Sequence, residues 1–287
     1  MLEQHSNASG IARARQRATR ERARAARAAG VAGRHEHLAK QASPALGGLH
    51  RDMAAMHRDI ERRHLTAARL HADHAERLVR AGDVTPAPPF MAAVAAEVGA
   101  VHVGISLVLG DRTEAVTVAS DVIATAVQDL ESIIGEGPVH DVASYGDPIV
   151  ADASAFPVRW PRLASAVALY GVRSVAAEPL RTNTGCLGVL TVFDPPAEAA
   201  PGSLATVADA LVYSALLAPD SGDPLDLPLL VGADDHAVLH QASGMVAEQL
   251  GCGVSDGLVV LRARAFATDT PLAAIADEIV HGGLKVN

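Results

Sequence analysis

Aromatic residues and cysteine are scarce in this sequence. Phe, Trp and Tyr supply 3% of its 287 residues, with a single tryptophan. Cofactor sites built from stacked rings are therefore excluded, and the cores have to be assembled from Ala, Val and Leu within a hydrophobic content of 49%. The two cysteines, Cys186 and Cys252, belong to no Cys-x-x-Cys or Cys/His spacing, which argues against a disulfide framework and against a zinc site. No apolar run reaches the roughly 18 residues that a membrane span needs, and the Arg-rich start lacks the apolar core and cleavage site of a secretion signal. The expectation is a cytoplasmic protein with no membrane contact. Catalytic signatures are missing too: there is no G-x-S-x-G, no H-E-x-x-H and no kinase or phosphate-loop string. The chain is read as non-enzymatic, with no catalytic residue, no metal and no cofactor.

What is present is unevenly distributed. The net charge is −9, yet residues 1–85 hold 16 of the 24 Lys/Arg and only 9 of the 33 Asp/Glu, so this arm is +7 and the remainder −16. A basic arm beside an acidic body fits either contact with a polyanion or docking on the protein itself. From Ile11 to Ala29 the arm is nearly all Ala and Arg, strong helix formers without an apolar stripe. Gly30, Gly33, Pro44, Gly47 and Gly48 are expected to interrupt it. A second helix starts near Leu49, where Leu49, Met53, Met56 and Ile60 have coiled-coil spacing. His50, His57, His64 and His71 recur every seven residues along it, either as half-exposed residues flanking that seam or as a pH-sensitive stripe. One shared metal ion is excluded, because i and i+7 lie about 10 Å apart on a helix.

A Pro-rich stretch from Gly82 to Pro89 marks a boundary. Beyond it, Phe90–Val98 has helical spacing, whereas Val101–Leu109, Ala115–Ala119, Val175–Pro179 and Cys186–Phe193 are β-branched or apolar strand candidates with short turns, the first turn passing through Asp111. Ser203 caps an apolar helix reaching Leu217. This pattern predicts an α+β domain with an antiparallel sheet over residues 88–217. A second linker, 218–230, leads to a three-helix unit at 231–287 whose helices are capped by Asp234, Ser255 and the Thr270–Pro271 pair.

The strings IGEGPVHD (134–141), DPIVAD (147–152), VRWPRLA (158–164), YGVRSVAAEPL (170–180) and CLGVLTVF (186–193) follow one another in a characteristic order within a region of about 130 residues, 88–217. In this region the chain resembles the GAF domains of actinobacterial regulators. That resemblance implies a small-molecule pocket between the sheet and its covering loops. Val139 stands where this subgroup often has cysteine, which weakens any thiol chemistry there. The run QASGMVAEQLGCGVSDGLVVLRARAFATDTPLAAIADEIV, from Gln241 to Val280, is similar to an ANTAR domain. The resemblance implies binding to paired RNA hairpins and transcription antitermination. Ser243 replaces the usual lysine and Leu258 the usual aromatic, and from Asp234 onward three basic residues face seven acidic ones. Phosphate neutralisation and base stacking carry much of RNA affinity, so these departures matter.

The expected architecture is therefore a basic helical arm (1–85), a GAF-like sensor (88–217), a linker (218–230) and an ANTAR-like three-helix output module (231–287). Arg262, Arg264, Ser243 and Gln241 are the candidate RNA contacts. Arg159, Trp160, Glu136 and Arg173 are the candidate ligand contacts, with Trp160 equally readable as a core anchor and Arg173 as an ion-pair partner of Glu136 or Glu178. Asp141, Asp147 and Asp152 read as turn residues bonding their own backbone. Two functions remain open: an RNA-binding antitermination regulator acting as a homodimer with an unknown small-molecule ligand, or a sensor and scaffold protein that uses its helices for dimerisation or partner docking.

Overall fold

The computed structural model describes residues 2–81, 88–108, 114–196, 203–217, 234–235, 237–268, 270 and 272–282. Asp111, Pro271 and nearly all of both linkers lie outside the described residues. The Ala/Arg-rich segment is one helix, α1 (Leu2–Gln41), followed after Ala42 and Ser43 by α2 (Pro44–Ala81). Contrary to the expected interruptions, Gly30 and Gly33 lie inside α1, and Gly47 and Gly48 inside α2. A glycine in a helix interior costs about 1 kcal/mol, but a side chain at Gly47 would press on the Ala39 carbonyl, 3.1 Å from its Cβ. Pro44 opens α2, where a missing N–H costs no helical bond.

The arm also carries the stripe that its composition concealed. Ala14, Ala18, Glu21, Ala25, Ala28 and Ala32 are buried at alternating spacings of four and three, and Ile11, His35 and Ala39 extend the series half-buried. This is a heptad seam written in alanine. It meets α2 in antiparallel fashion, since Ala39 lies against Gly47, His35 against His50 and Glu21 against His64. The facing seam of α2 consists of Gly47, Ala54, Glu61, Ala68 and Ala75 alternating with His50, His57, His64 and His71. The histidines therefore lie in the seam rather than beside it. His35 Nδ1 is 3.0 Å from His50 Nδ1 and its ring stacks on His57, while the buried Glu21 is 2.6 Å from His64 Nδ1 and is also paired with Arg24. The stripe expected to form the seam points elsewhere: Leu49 is 57% and Met56 46% exposed.

A second face of α2, with Thr66, Ala67, Leu70 and His74 buried, packs on α3 (Pro89–Val98) and on α8 (Ser203–Leu211), which continues as one wider helical turn, Val212–Leu216. Arg69 clamps Glu97, and the Arg63 guanidinium lies 4.1 Å from the centre of the Tyr213 ring. The hairpin with α3 and α8 makes one compact unit, so these two helices, read within the 88–217 domain, group with the arm.

The second unit is built on an antiparallel sheet. Its strands are β1 (His102–Val108), β2 (Glu114–Ala119), β3 (Ile149–Asp152), β4 (Ser174–Thr182), β5 (Gly185–Phe193) and the two-residue β6 (Asp234–Asp235), in spatial order β3-β4-β5-β1-β2-β6. The α+β expectation holds. β5 is buried along most of its length, as its unbroken apolar sequence implies. Helices α4 (Val122–Ile134), α5 (Pro138–Tyr145), α6 (Phe156–Arg159) and α7 (Pro161–Ala168) share a core with β3, β4 and β5. Asp121 caps α4, its carboxylate accepting the amides of Ile123 and Ala124.

The C-terminal helices α9 (Ala237–Leu250), α10 (Val254–Thr268) and α11 (Leu272–Val280) enclose their own core of Leu239, Ala242, Val246, Leu261, Ile275 and Ile279. Asp234 does not cap α9. It pairs with Thr117 as β6 on the edge of the sheet, three residues before the helix begins. Ser255 lies inside α10 rather than before it. Among the described residues, no helix is long and apolar enough to cross a membrane.

Burial pushes His71 and His74 down to about 4, and Arg17 across the seam adds to the shift, Asp73 opposing it only at His74. Both rings pack on Phe90. A native value below the unfolded one of about 6.5 means that the unfolded chain binds the extra protons, so stability is full above pH 6.5 and falls as the pH drops toward 4. The loss should approach about 3 kcal/mol per histidine by pH 4. Thermal unfolding followed by circular dichroism should show this acid slope, and replacing both histidines with Leu should flatten it.

Candidate functional site

Three carboxylates organise the helices over the sheet. Glu131, on the last turns of α4, is 0% exposed, and its Oε1 accepts the amides of Val139 (2.5 Å) and His140 (3.2 Å) at the start of α5. Gly137 precedes α5 because a Cβ there would collide with this carboxyl group. Burial raises the Glu131 carboxyl above the usual carboxylate range, while His140 and the two amides pull against that rise. Glu136 does the same service for α7: its Oε1 accepts the amides of Arg162 and Leu163, and Oε2 accepts from Arg162 Nε at 3.1 Å. Asp141, in the first turn of α5, accepts Trp160 Nε1 at 3.2 Å and Arg159 Nε at 3.1 Å, pinning the junction of α6 and α7.

These ties close an apolar cavity. Val175 and Phe193 of the sheet form its floor, Val127 and Pro138 one side, and Phe156, Trp160, Leu163 and Val167 the other. The free volume is about 10 Å³, roughly the space that one water molecule requires. Of the described residues that line it, only Trp160 has a polar side-chain atom, and that Nε1 donates to Asp141. A ligand here would be small and apolar, and anything larger than a water has to displace α6 or α7.

The four expected ligand contacts thus separate. Trp160 is buried and is at once core anchor and cavity wall. Arg159 is exposed on the rim, with its guanidinium 5.4 Å from the Trp160 ring centre. Glu136 holds α7 and is paired with Arg162, not with Arg173. Arg173 is exposed ahead of β4, where its backbone amide donates to Asp194. Asp152 bonds its local backbone as expected, at Ser154 and Ala155, but Asp141 does not.

The candidate RNA contacts also divide. Gln241 is exposed on α9. Ser243 is 1% exposed, with its hydroxyl donating to the Leu239 carbonyl, and a Cβ at Gly257 would collide with the Ser243 carbonyl. It is a small residue at the tight crossing of α9 and α10, enclosed in the core and removed from any surface contact. Arg262 and Arg264 are both half-buried, and two residues along a helix place them about 200° apart, on opposite sides of α10. Arg262 faces Gly135, the left-handed residue that ends α4 (φ 72°), where a methyl group would lie 3.4 Å from its Nη1. Among the described residues no group of three His, Cys, Asp or Glu is placed to hold a metal ion. Sequence reasoning missed Glu131 and the α7 wall, whereas the Gly-Glu-Gly-Pro string, through Gly135, Gly137 and Pro138, reads as the tight turn that the structure shows.

Leu163→Ala should cost about 2–5 kcal/mol, the usual range for emptying a buried leucine site. The enlarged apolar cavity should then bind benzene and recover part of the lost Tm, whereas benzene should leave the wild-type Tm unchanged. Calorimetric unfolding with and without benzene reads both effects.

No family model matches the chain, and no curated protein matches it.

Proposed function

We propose that this protein is a non-enzymatic, signal-responsive RNA-binding regulator of transcription antitermination, with a GAF-like domain that senses a small apolar molecule and an ANTAR-like module, α9–α11, that contacts RNA hairpins as part of a cytoplasmic homodimer. The observation that carries this reading is the presence, in one chain, of an apolar cavity under short, carboxylate-pinned helices and a three-helix module with a core of its own. Arg262 and Arg264 supply the cationic contacts, and the basic arm adds charge that the acidic C-terminal segment lacks. Purified full-length protein titrated against a paired-hairpin RNA and a scrambled RNA of equal length should prefer the hairpins. Arg262→Ala with Arg264→Ala should weaken that binding at least tenfold at physiological salt. Equal binding to both RNAs, lost steeply with salt, would assign the arm as a nonspecific polyanion contact and remove the antitermination reading.

One observation favours the second reading, a sensor or scaffold that works through self-association or partner docking. Leu46, Leu49, Met53, Met56 and Ile60 form a second heptad stripe on α2, exposed or half-exposed rather than packed on α1. A second copy of the hairpin would cover it. Leu49→Glu with Met56→Glu should convert a dimer to a monomer in sedimentation equilibrium; an unchanged mass would exclude this stripe as the dimer contact.

A further inference from the structure

The chain has four phenylalanines. Phe90, Phe156 and Phe193 are buried, whereas Phe266, on α10, is 74% exposed. It is the one aromatic residue of the segment 234–287, and the core of α9–α11 closes without it. Leu258, where the ANTAR resemblance expects an aromatic, packs against that core instead. In a sequence this poor in aromatics, a ring turned outward from a finished core calls for a use at the surface.

Val259, Arg262 and Phe266 stand at i, i+3 and i+7, on one face of α10. That face is one side of an open groove of about 750 Å³, with Arg162 and Leu169, at the two ends of α7, on the other side and Ile134 of α4 between them. α7 and α10 each pack on α4. Val259 and Leu169 are 59% and 86% exposed, so the groove offers apolar surface beside the ring. Among the described residues that line it, the charged ones are Arg162 and Arg262, although residues 86–287 carry a net charge of −16. Arg162 gives its Nε to Glu136 at 3.1 Å while its side chain stays 68% exposed. The volume falls in the range of roughly 300–1,000 Å³ that accommodates a molecule of nucleotide size.

A simple anion would use the two guanidinium groups and leave the ring idle, and a purely apolar partner would desolvate both charges without pairing them. A nucleotide whose base is out of the stack uses both features, since its phosphate suits arginine and its flat face suits phenylalanine. We propose that this groove takes one unstacked loop nucleotide of RNA, with the base stacked on Phe266 and the phosphate held by Arg262 from α10 and Arg162 from α7. The proposal rests on the RNA reading of α9–α11 and deepens it. The contact is to loop bases, because those of a duplex stay in their stack, and the site is shared between the C-terminal helices and the sheet domain that supplies Arg162.

The test compares the full-length chain with its Phe266→Ala, Phe266→Trp and Arg162→Gln variants. Each is titrated with a paired-hairpin RNA and with the same hairpins carrying abasic loop nucleotides. Stems and phosphates are identical in the two RNAs, so the ratio of their affinities reports base contact alone. Wild type should bind the loops with bases about tenfold more tightly or better, Phe266→Ala should bring the ratio near one, and Phe266→Trp should restore it. Arg162→Gln, which keeps a donor for Glu136, should weaken binding to both RNAs alike and lower the slope of log affinity against log salt by about one. A ratio near one in wild type, or a ratio that survives in Phe266→Ala, overturns the stacking while hairpin binding itself stands. An unchanged salt slope in Arg162→Gln overturns the shared site. If wild type binds the hairpins no better than a scrambled RNA of equal length, the RNA reading fails, the proposal falls with it, and the groove is left to a protein partner.

Discussion

The buried carboxylate of Glu131 fixes where α4 ends and α5 begins, and the geometry of the second unit follows from that junction. An isolated carboxylate in an apolar interior is unfavourable by several kcal/mol. Here the cost is met by two backbone amides that would themselves be unsatisfied, and by a carboxyl group raised toward its neutral form. Within the next six residues, Gly135 turns the chain through a left-handed conformation and presents bare backbone to Arg262, Glu136 caps α7, and Gly137 leaves room for the carboxyl itself. One short turn thereby positions α5, α7 and α10, which carry the cavity wall and the expected RNA contact.

The scarcity of large side chains shapes both units. With few aromatics to fill space, helices approach through Ala and Gly, as in the alanine seam of the hairpin and the Ser243–Gly257 crossing of the C-terminal helices. Close helices have little room between them, so the remaining polar residues in the seam are held tightly: Glu21 between His64 and Arg24, and His71 and His74 against Phe90. The same closeness leaves the apolar cavity between the sheet and α7 nearly full.

Long periodic elements were legible in the sequence. The strands around Val103, Val118, Val175 and Leu190 announce themselves through β-branched runs, and α9–α11 appear within a few residues of their observed bounds. The hairpin seam was not legible as such. Alanine serves equally as helix former and as packing residue, so attention goes to Leu49, Met53, Met56 and Ile60, which turn out to face away from α1. α6, α7 and β3 span four to eight residues, too short for a period to emerge. Glu131 reads as the polar side of an amphipathic helix, because nothing local reveals that the amides needing it lie eight and nine residues ahead. Arg262 was identified by resemblance, but its neighbour Gly135 is more than a hundred residues away in sequence, and only the tertiary fold joins them.

Amide hydrogen exchange at Val139 and His140 in Glu131→Ala and Glu131→Gln variants tests the dependence on this junction most directly. Removing the carboxylate leaves the buried Val139 amide and the half-buried His140 amide without this acceptor, a loss of about 1–3 kcal/mol, whereas Gln keeps one oxygen in place. The account predicts that protection of both amides and the Tm of the chain fall in the Ala variant and are restored by Gln. Protection and Tm unchanged in Glu131→Ala would contradict it.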